Sequence, residues 1–129
     1  NDDGGRILTV CQFHGLRDEG GKGDTLPRVA QAHALVALIR RVWRPGEPLV
    51  VCGDFNVLPD SETFAILGEL GLADLVTTRG FTDTRTSLYT KPGRFADYML
   101  ATPDVEVVSF DVVAEPDVSD HRALVLDIG

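Results

Sequence analysis

Pro48-Leu49-Val50-Val51-Cys52-Gly53-Asp54-Phe55-Asn56 is the stretch that decides the architecture of this chain. A short, β-branched apolar run closed by a glycine reads as a buried strand. Its end carries a carboxylate and, two residues on, a carboxamide. Strand ends on the rim of a sheet are where a ligand finds room. Asp and Asn are also ordinary turn residues, because their side chains bond nearby backbone. A second polar box, Ser119-Asp120-His121, stands just before the last apolar run, Ala123 to Ile128, and adds a carboxylate and an imidazole. Each polar candidate opens or closes a strand, so several strand ends could meet at one mouth.

Outward from that strand the chain alternates apolar runs and helical patterns. Ile7 to Phe13 reads as a strand ending at His14, followed by a glycine-rich, charged loop from Gly15 to Asp24. Asp24 or Thr25 can cap a helix with Pro27 in its first turn. Val29, Ala32, Leu35, Val36, Ile39, Val42 and Trp43 form its stripe, with Arg28, Gln31, Arg40 and Arg44 mostly off it, and Pro45-Gly46 ends it. Pro59-Asp60-Ser61 opens a second helix bearing Phe64, Leu67 and Leu70, stopped by Gly71. Leu72 to Val76 suggests a short strand, and Thr77 to Arg94 a long polar loop of the kind that often carries function. Asp97 to Ala101, Val105 to Val113 and Ala123 to Ile128 read as further strands.

Composition bounds the class. The chain has 129 residues, 43% hydrophobic and 25% charged, ordinary for one globular domain over 1–129. No apolar run approaches the ~20 residues of a membrane span. The opening Asn1-Asp2-Asp3-Gly4-Gly5 lacks a Met and reads as a loop before a strand, so the chain is taken as part of a longer one. The net charge of −8 opposes tight, sequence-blind binding to nucleic acid, whose affinity comes from Lys and Arg. Carboxylates reserved for a cation would add to that count. Cys11 and Cys52 lie inside apolar runs and read as free thiols of a reducing, cytoplasmic setting. No Cys/His spacing suggests zinc.

The residue types point to metal-assisted attack on a phosphate. Asp54 could orient or deprotonate the attacking water, and Asn56 could donate amide protons to a phosphate oxygen. Asp120 could hold a hard cation such as Mg²⁺, which prefers oxygen ligands. His121 could bond or protonate a phosphoryl oxygen if a carboxylate, Asp97, fixes its ring. His14 is a second imidazole at a strand end. Arg85, inside the long loop, could clamp a phosphate through two hydrogen bonds.

With those residues in view, the chain resembles the C-terminal half of the endonuclease/exonuclease/phosphatase superfamily, whose fold is similar to that of deoxyribonuclease I. Gly53-Asp54-Phe55-Asn56 matches the Gly-Asp-x-Asn box, and Ser119-Asp120-His121 the terminal Ser-Asp-His box. The strand ending in His14 resembles the Asn-x-His segment, with Gln12 in place of Asn. Arg94-Phe95-Ala96-Asp97-Tyr98 is similar to the Arg-x-Asp-Tyr stretch, with one extra residue.

The resemblance implies an α/β (α+β) fold, half of a four-layer αββα sandwich, with one mainly antiparallel sheet and helices on one face. It implies a phosphoester hydrolase dependent on Mg²⁺, or alternatively Mn²⁺. Asp54 would position the water, Asn56 and His121 would contact the phosphate, Asp97 would orient His121, Asp120 would bind the metal, and His14 would face the phosphate or donate a proton. The family's N-terminal half supplies an Asn and a metal-binding Glu, so this portion alone is expected to be nearly inactive. Substrates across the superfamily run from DNA and RNA to sphingomyelin and inositol phosphates. The acidic balance leans slightly toward small phosphoesters. A sheet face without its partner layer is expected to drive self-association as a homodimer. The rival reading is a non-catalytic binding or scaffold member of the same fold.

Overall fold

The computed structural model describes residues 7–15, 25–91, 93–115 and 119–129. Strand β1 (Thr9–His14) and strand β2 (Leu49–Asp54) run parallel, paired from Thr9 beside Leu49 to His14 beside Asp54. Parallel neighbours need a crossover, and helix α1 (Leu26–Val42) supplies it. Thr25 caps this helix, its hydroxyl oxygen accepting from the Arg28 N–H at 3.2 Å. The apolar stripe holds, with Ala32, Leu35, Val36 and Ile39 buried. Arg28, expected off the stripe, is buried as well, whereas Val42 is exposed.

Strand β4 (Asp97–Ala101) pairs antiparallel with β2 on its other side, Asp97 facing Asp54, and β3 (Ala73–Asp74) pairs with the far end of β4. The order is β1-β2-β4-β3. Strands β5 (Val107–Val113) and β6 (Ala123–Ile128) form a separate antiparallel pair. Helix α2 (Glu62–Gly68), capped by Ser61, packs on α1 and sets Phe64 edge-on to Tyr98, with ring centres 4.6 Å apart. Alternation puts Tyr98, Leu100 and Val51 on that helix-covered face. Cys52, Asp97 and Met99 face the other way, toward Arg122 and Leu124, around a cavity of about 210 Å³. The fold is therefore mixed α/β with a mainly antiparallel sheet, as expected. The β5–β6 pair forms a second sheet.

A further expectation is corrected. Leu72 to Val76 is not a five-residue strand: pairing stops at Asp74, and Leu75–Thr78 turns into a short helix, α3. The cause is Asp74 itself, whose carboxylate accepts from the N–H groups of Val76 and Thr77 at 2.9 and 3.3 Å. Cys11 and Cys52 are free, and burial pushes both thiols up. No helix among the described residues is long and apolar enough to cross a membrane.

Two glycines let the mouth of the sheet close. Gly53 has φ +137°, and a Cβ there would lie 2.0 Å from the Phe13 carbonyl oxygen. At Gly15 a Cβ would lie 2.0 Å from the Phe55 oxygen. Any side chain at either position would push β1 away from the turn after β2.

Tyr98 anchors this packing. Its side chain is fully buried, and its hydroxyl donates to the Val57 carbonyl at 2.8 Å. Burial pushes the phenol far above its ordinary range, so it remains a donor throughout the working pH range. Tyr98→Phe would leave that carbonyl buried and unpaired, at a cost of about 1–3 kcal/mol. Urea unfolding should show the midpoint falling accordingly; an unchanged midpoint would contradict the assignment.

Candidate active site

Asp54 and Asp97 face each other across the β2–β4 pair, at the ends where both strands meet the rim. His121 reaches them from the segment before β6. Its Nδ1 lies 2.6 Å from Asp97 Oδ2, and its Nε2 is 3.8 Å from Asp54 Oδ2 and 3.8 Å from Asp120 Oδ1. Arg85 Nη1 lies 3.0 Å from the same Nε2 and 3.3 Å from Asp120 Oδ2. A guanidinium can only donate, so Nε2 must accept. The ring proton therefore sits on Nδ1 and is donated to Asp97. Burial pushes the Asp97 carboxyl above the ordinary aspartate range, while the hydrogen bond from His121 pulls it back.

The structure brings Asp54, Asp97, Asp120, His121 and Arg85 to one place. Asn56 and His14 sit beside it. Asn56 adopts φ +54° and gives its backbone N–H to Asp54 Oδ1 at 3.1 Å. Its side-chain Nδ2 donates to the Gly15 carbonyl at 2.8 Å, so one amide proton holds the rim together. His14 is paired by register with Asp54 and exposed, and its ring makes no hydrogen bond among the described residues.

What the sequence did not reveal is the seam that assembles the site. Thr84, Arg85 and Thr86 are 0%, 5% and 3% exposed, in the middle of what reads as a polar loop. The Thr84 hydroxyl oxygen accepts from the N–H groups of Ala96 and Asp97 at 3.0 and 3.3 Å, fixing the start of β4. On the other side, Thr86 N–H donates to the Asp120 carbonyl at 3.1 Å, and the Thr86 hydroxyl to the Ser119 carbonyl at 2.5 Å. Arg122 N–H returns to the Thr84 carbonyl at 2.8 Å, and Arg85 and His121 form an antiparallel bridge. The available signal was Thr82, Thr84 and Thr86 at every second position, a β-branched alternation without hydrophobicity.

Asp54, Asp97 and His121 offer ligand atoms that all lie within 4.8 Å of one another. The chemistry of the set suits a hard divalent cation, because carboxylate oxygens dominate it and Asp120 adds another nearby.

A profile of the Endonuclease/Exonuclease/phosphatase family matches residues 13–121. The chain belongs to that family. Solved structures agree on the fold. The human nocturnin catalytic domain, with bound sulfate, superposes with a TM-score of 0.73 at 24% identity, over 98% of this chain and 48% of that one. An AP endonuclease from Archaeoglobus fulgidus gives 0.70 at 18% identity, over 92% of this chain and 61% of that one. A mannosyl-6-phosphatase from Bacteroides thetaiotaomicron gives 0.65 at 16%, over 98% and 52%. The chain thus spans about half to three-fifths of the length of these structures. No curated protein matches it significantly.

For this Endonuclease/Exonuclease/phosphatase family member, the raised Asp97 carboxyl has a measurable sign. A raised native value means that the group's contribution to stability is full below its ordinary value of 3.8 and is lost as pH rises through the native one. A ¹³C titration of Asp97 should give a midpoint above 3.8. Asp97→Asn should gain stability relative to the wild type between acid and neutral pH. A midpoint at or below the ordinary value would contradict the burial argument.

Proposed function

We propose that the protein carrying this chain is a divalent-metal-dependent phosphoester hydrolase. The observation that carries the reading is His121 Nε2 standing within 3.8 Å of Asp54, Asp120 and Arg85 while Asp97 holds the opposite ring nitrogen. Water attacks phosphorus in line, the new P–O bond forms, the ester P–O bond breaks, and the leaving oxygen takes its proton from bulk water. Asp54 orients that water and accepts its proton. His121, turned by Asp97, donates to a phosphoryl oxygen once Nε2 has taken up a proton, and Arg85 donates to one once it leaves the ring nitrogen. Asn56 and His14 complete the rim facing the phosphate. Asp120 would hold the cation, for which Mg²⁺ is the choice over Mn²⁺, and it would offset the charge that develops on the phosphoryl oxygens.

Support for the substrate class comes from charge and from likeness. The similar folds include an endonuclease and a sugar phosphatase, and nocturnin's holds a sulfate, a tetrahedral anion. A net charge of −8 favours a small phosphoester over a polynucleotide. Free Cys11 and Cys52 fit a reducing, cytoplasmic setting.

In the protein with its upstream sequence restored, Asp54→Ala should slow Mg²⁺-dependent cleavage of bis-p-nitrophenyl phosphate by roughly 10²-fold or more. Equal rates would overturn the enzyme in favour of a scaffold. The 129-residue chain alone should turn over little, since Mg²⁺ is retained poorly by few carboxylates.

We further propose that the isolated chain pairs with a copy of itself at the sheet's edge, through β1 and the two residues before it, where Ile7, Leu8 and Val10 are 53%, 39% and 58% exposed. Light scattering at micromolar concentration should give a dimer mass; a monomer mass would refute the pairing.

A further inference from the structure

Arg85 is held in an unusual way. Its side chain is 7% exposed, yet its Nε is buried with no hydrogen-bond partner among the described residues. Among the described residues only its Nη1 makes polar contacts, to His121 and Asp120. A guanidinium normally has its direction fixed by its fork of donors. Here the direction comes from elsewhere: the Tyr89 ring, 3.9 Å beneath the guanidinium carbon, and the backbone on either side of Arg85.

Both supports trace back to one residue. Asp83 Oδ1 accepts the Arg85 backbone N–H at 2.7 Å. Asp83 Oδ2 pairs with Arg94 Nε at 2.9 Å and with Arg122 Nη2 at 3.2 Å. Arg94 in turn donates to the Tyr89 carbonyl at 2.7 Å and the Thr86 carbonyl at 3.1 Å, fixing the residue on which Arg85 lies. Arg122 Nε donates to the Arg85 carbonyl. The N–H and C=O of Arg85, and its aromatic platform, are thus all tied to a single carboxylate, directly or through one arginine.

We propose that Asp83 is the positioning residue for Arg85: a hub that sets the aim of the phosphate-facing guanidinium without touching substrate itself. The proposal rests on the reading of Arg85 as an anion-binding group. It also explains why three arginines gather beside the site. Arg94 and Arg122 serve the placement of the third. Asp83 offsets part of their charge, which keeps them from competing for Asp54, Asp97 and Asp120.

The test is a double-mutant cycle on binding of inorganic phosphate, followed by calorimetry with the full chain. Asp83→Asn retains an oxygen for the Arg85 N–H, and so the local turn, but loses both ion pairs. It should weaken phosphate binding about tenfold, because a guanidinium displaced by a fraction of an ångström loses most of its benefit. In an Arg85→Ala background the same change should alter affinity less than about twofold, a non-additivity that a merely structural role would not produce. Arg122→Gln should follow the same pattern, which keeps the test available if Asp83→Asn does not fold. Equal, additive losses in both backgrounds would overturn the positioning role. Phosphate binding by the wild type that Arg85→Ala leaves unchanged, or no binding at all, would overturn the anion site and this proposal with it.

Discussion

The hydrogen bond between His121 Nδ1 and Asp97 Oδ2, 2.6 Å long, joins the start of β4 to a segment 24 residues further along the chain. Both groups bring costs to the contact. Asp97 is largely withdrawn from water, and the imidazole gives up its freedom to rotate and to exchange tautomers. The contact persists because the backbone beneath it leaves neither partner elsewhere to go. Thr84 grips the N–H of Asp97, Thr86 grips Ser119 and Asp120, and the bridge between Arg85 and His121 runs between them. This seam is built from backbone and hydroxyl hydrogen bonds that pair polar groups withdrawn from water. The chemistry of the site depends on it more than on any single side chain pointing inward.

Sheet register does the rest. Parallel pairing of β1 with β2 and antiparallel pairing of β2 with β4 put His14, Asp54 and Asp97 side by side at one end of three strands. A slip of one residue in β4 would turn Asp97 to the helix-covered face, where Tyr98 now sits. The aromatic cluster of Phe13, Phe55, Phe64 and Tyr98 therefore fixes the site from behind as well as packing the core. Fold and function share residues here: Phe55 lies between the two polar members of the Asp54–Asn56 box and fills the space under them.

The parts legible in the sequence were those with a period or a cap. Short apolar runs placed β2, β4 and β6, and the polar residues at their ends made Asp54, Asp97, Asp120 and His121 candidates for a shared rim. Helix α1 was readable from its stripe and from Thr25. Illegible were Asp83, Thr84, Thr86 and Arg122, since a buried polar segment satisfied by backbone looks in sequence like an exposed loop. The arrest of β3 at Asp74 was hidden for a related reason. Leu72 to Val76 has strand composition, but the capping carboxylate outweighs propensity once the N–H groups of Val76 and Thr77 need an acceptor. Asn56 was expected to face the phosphate, but its bond to the Gly15 carbonyl depends on how β1 returns past the turn.

The most direct measurement is a long-range ¹H–¹⁵N correlation spectrum of the His121 ring in the ligand-free protein. A guanidinium facing Nε2 and a carboxylate facing Nδ1 require one neutral tautomer, with the proton on Nδ1 and an unprotonated Nε2. Observation of that pattern, with a strongly deshielded Nδ1 proton, is the expected result. A proton on Nε2, or averaging between tautomers, would mean that Asp97 and Arg85 do not hold the ring and that the assembled site does not exist as described.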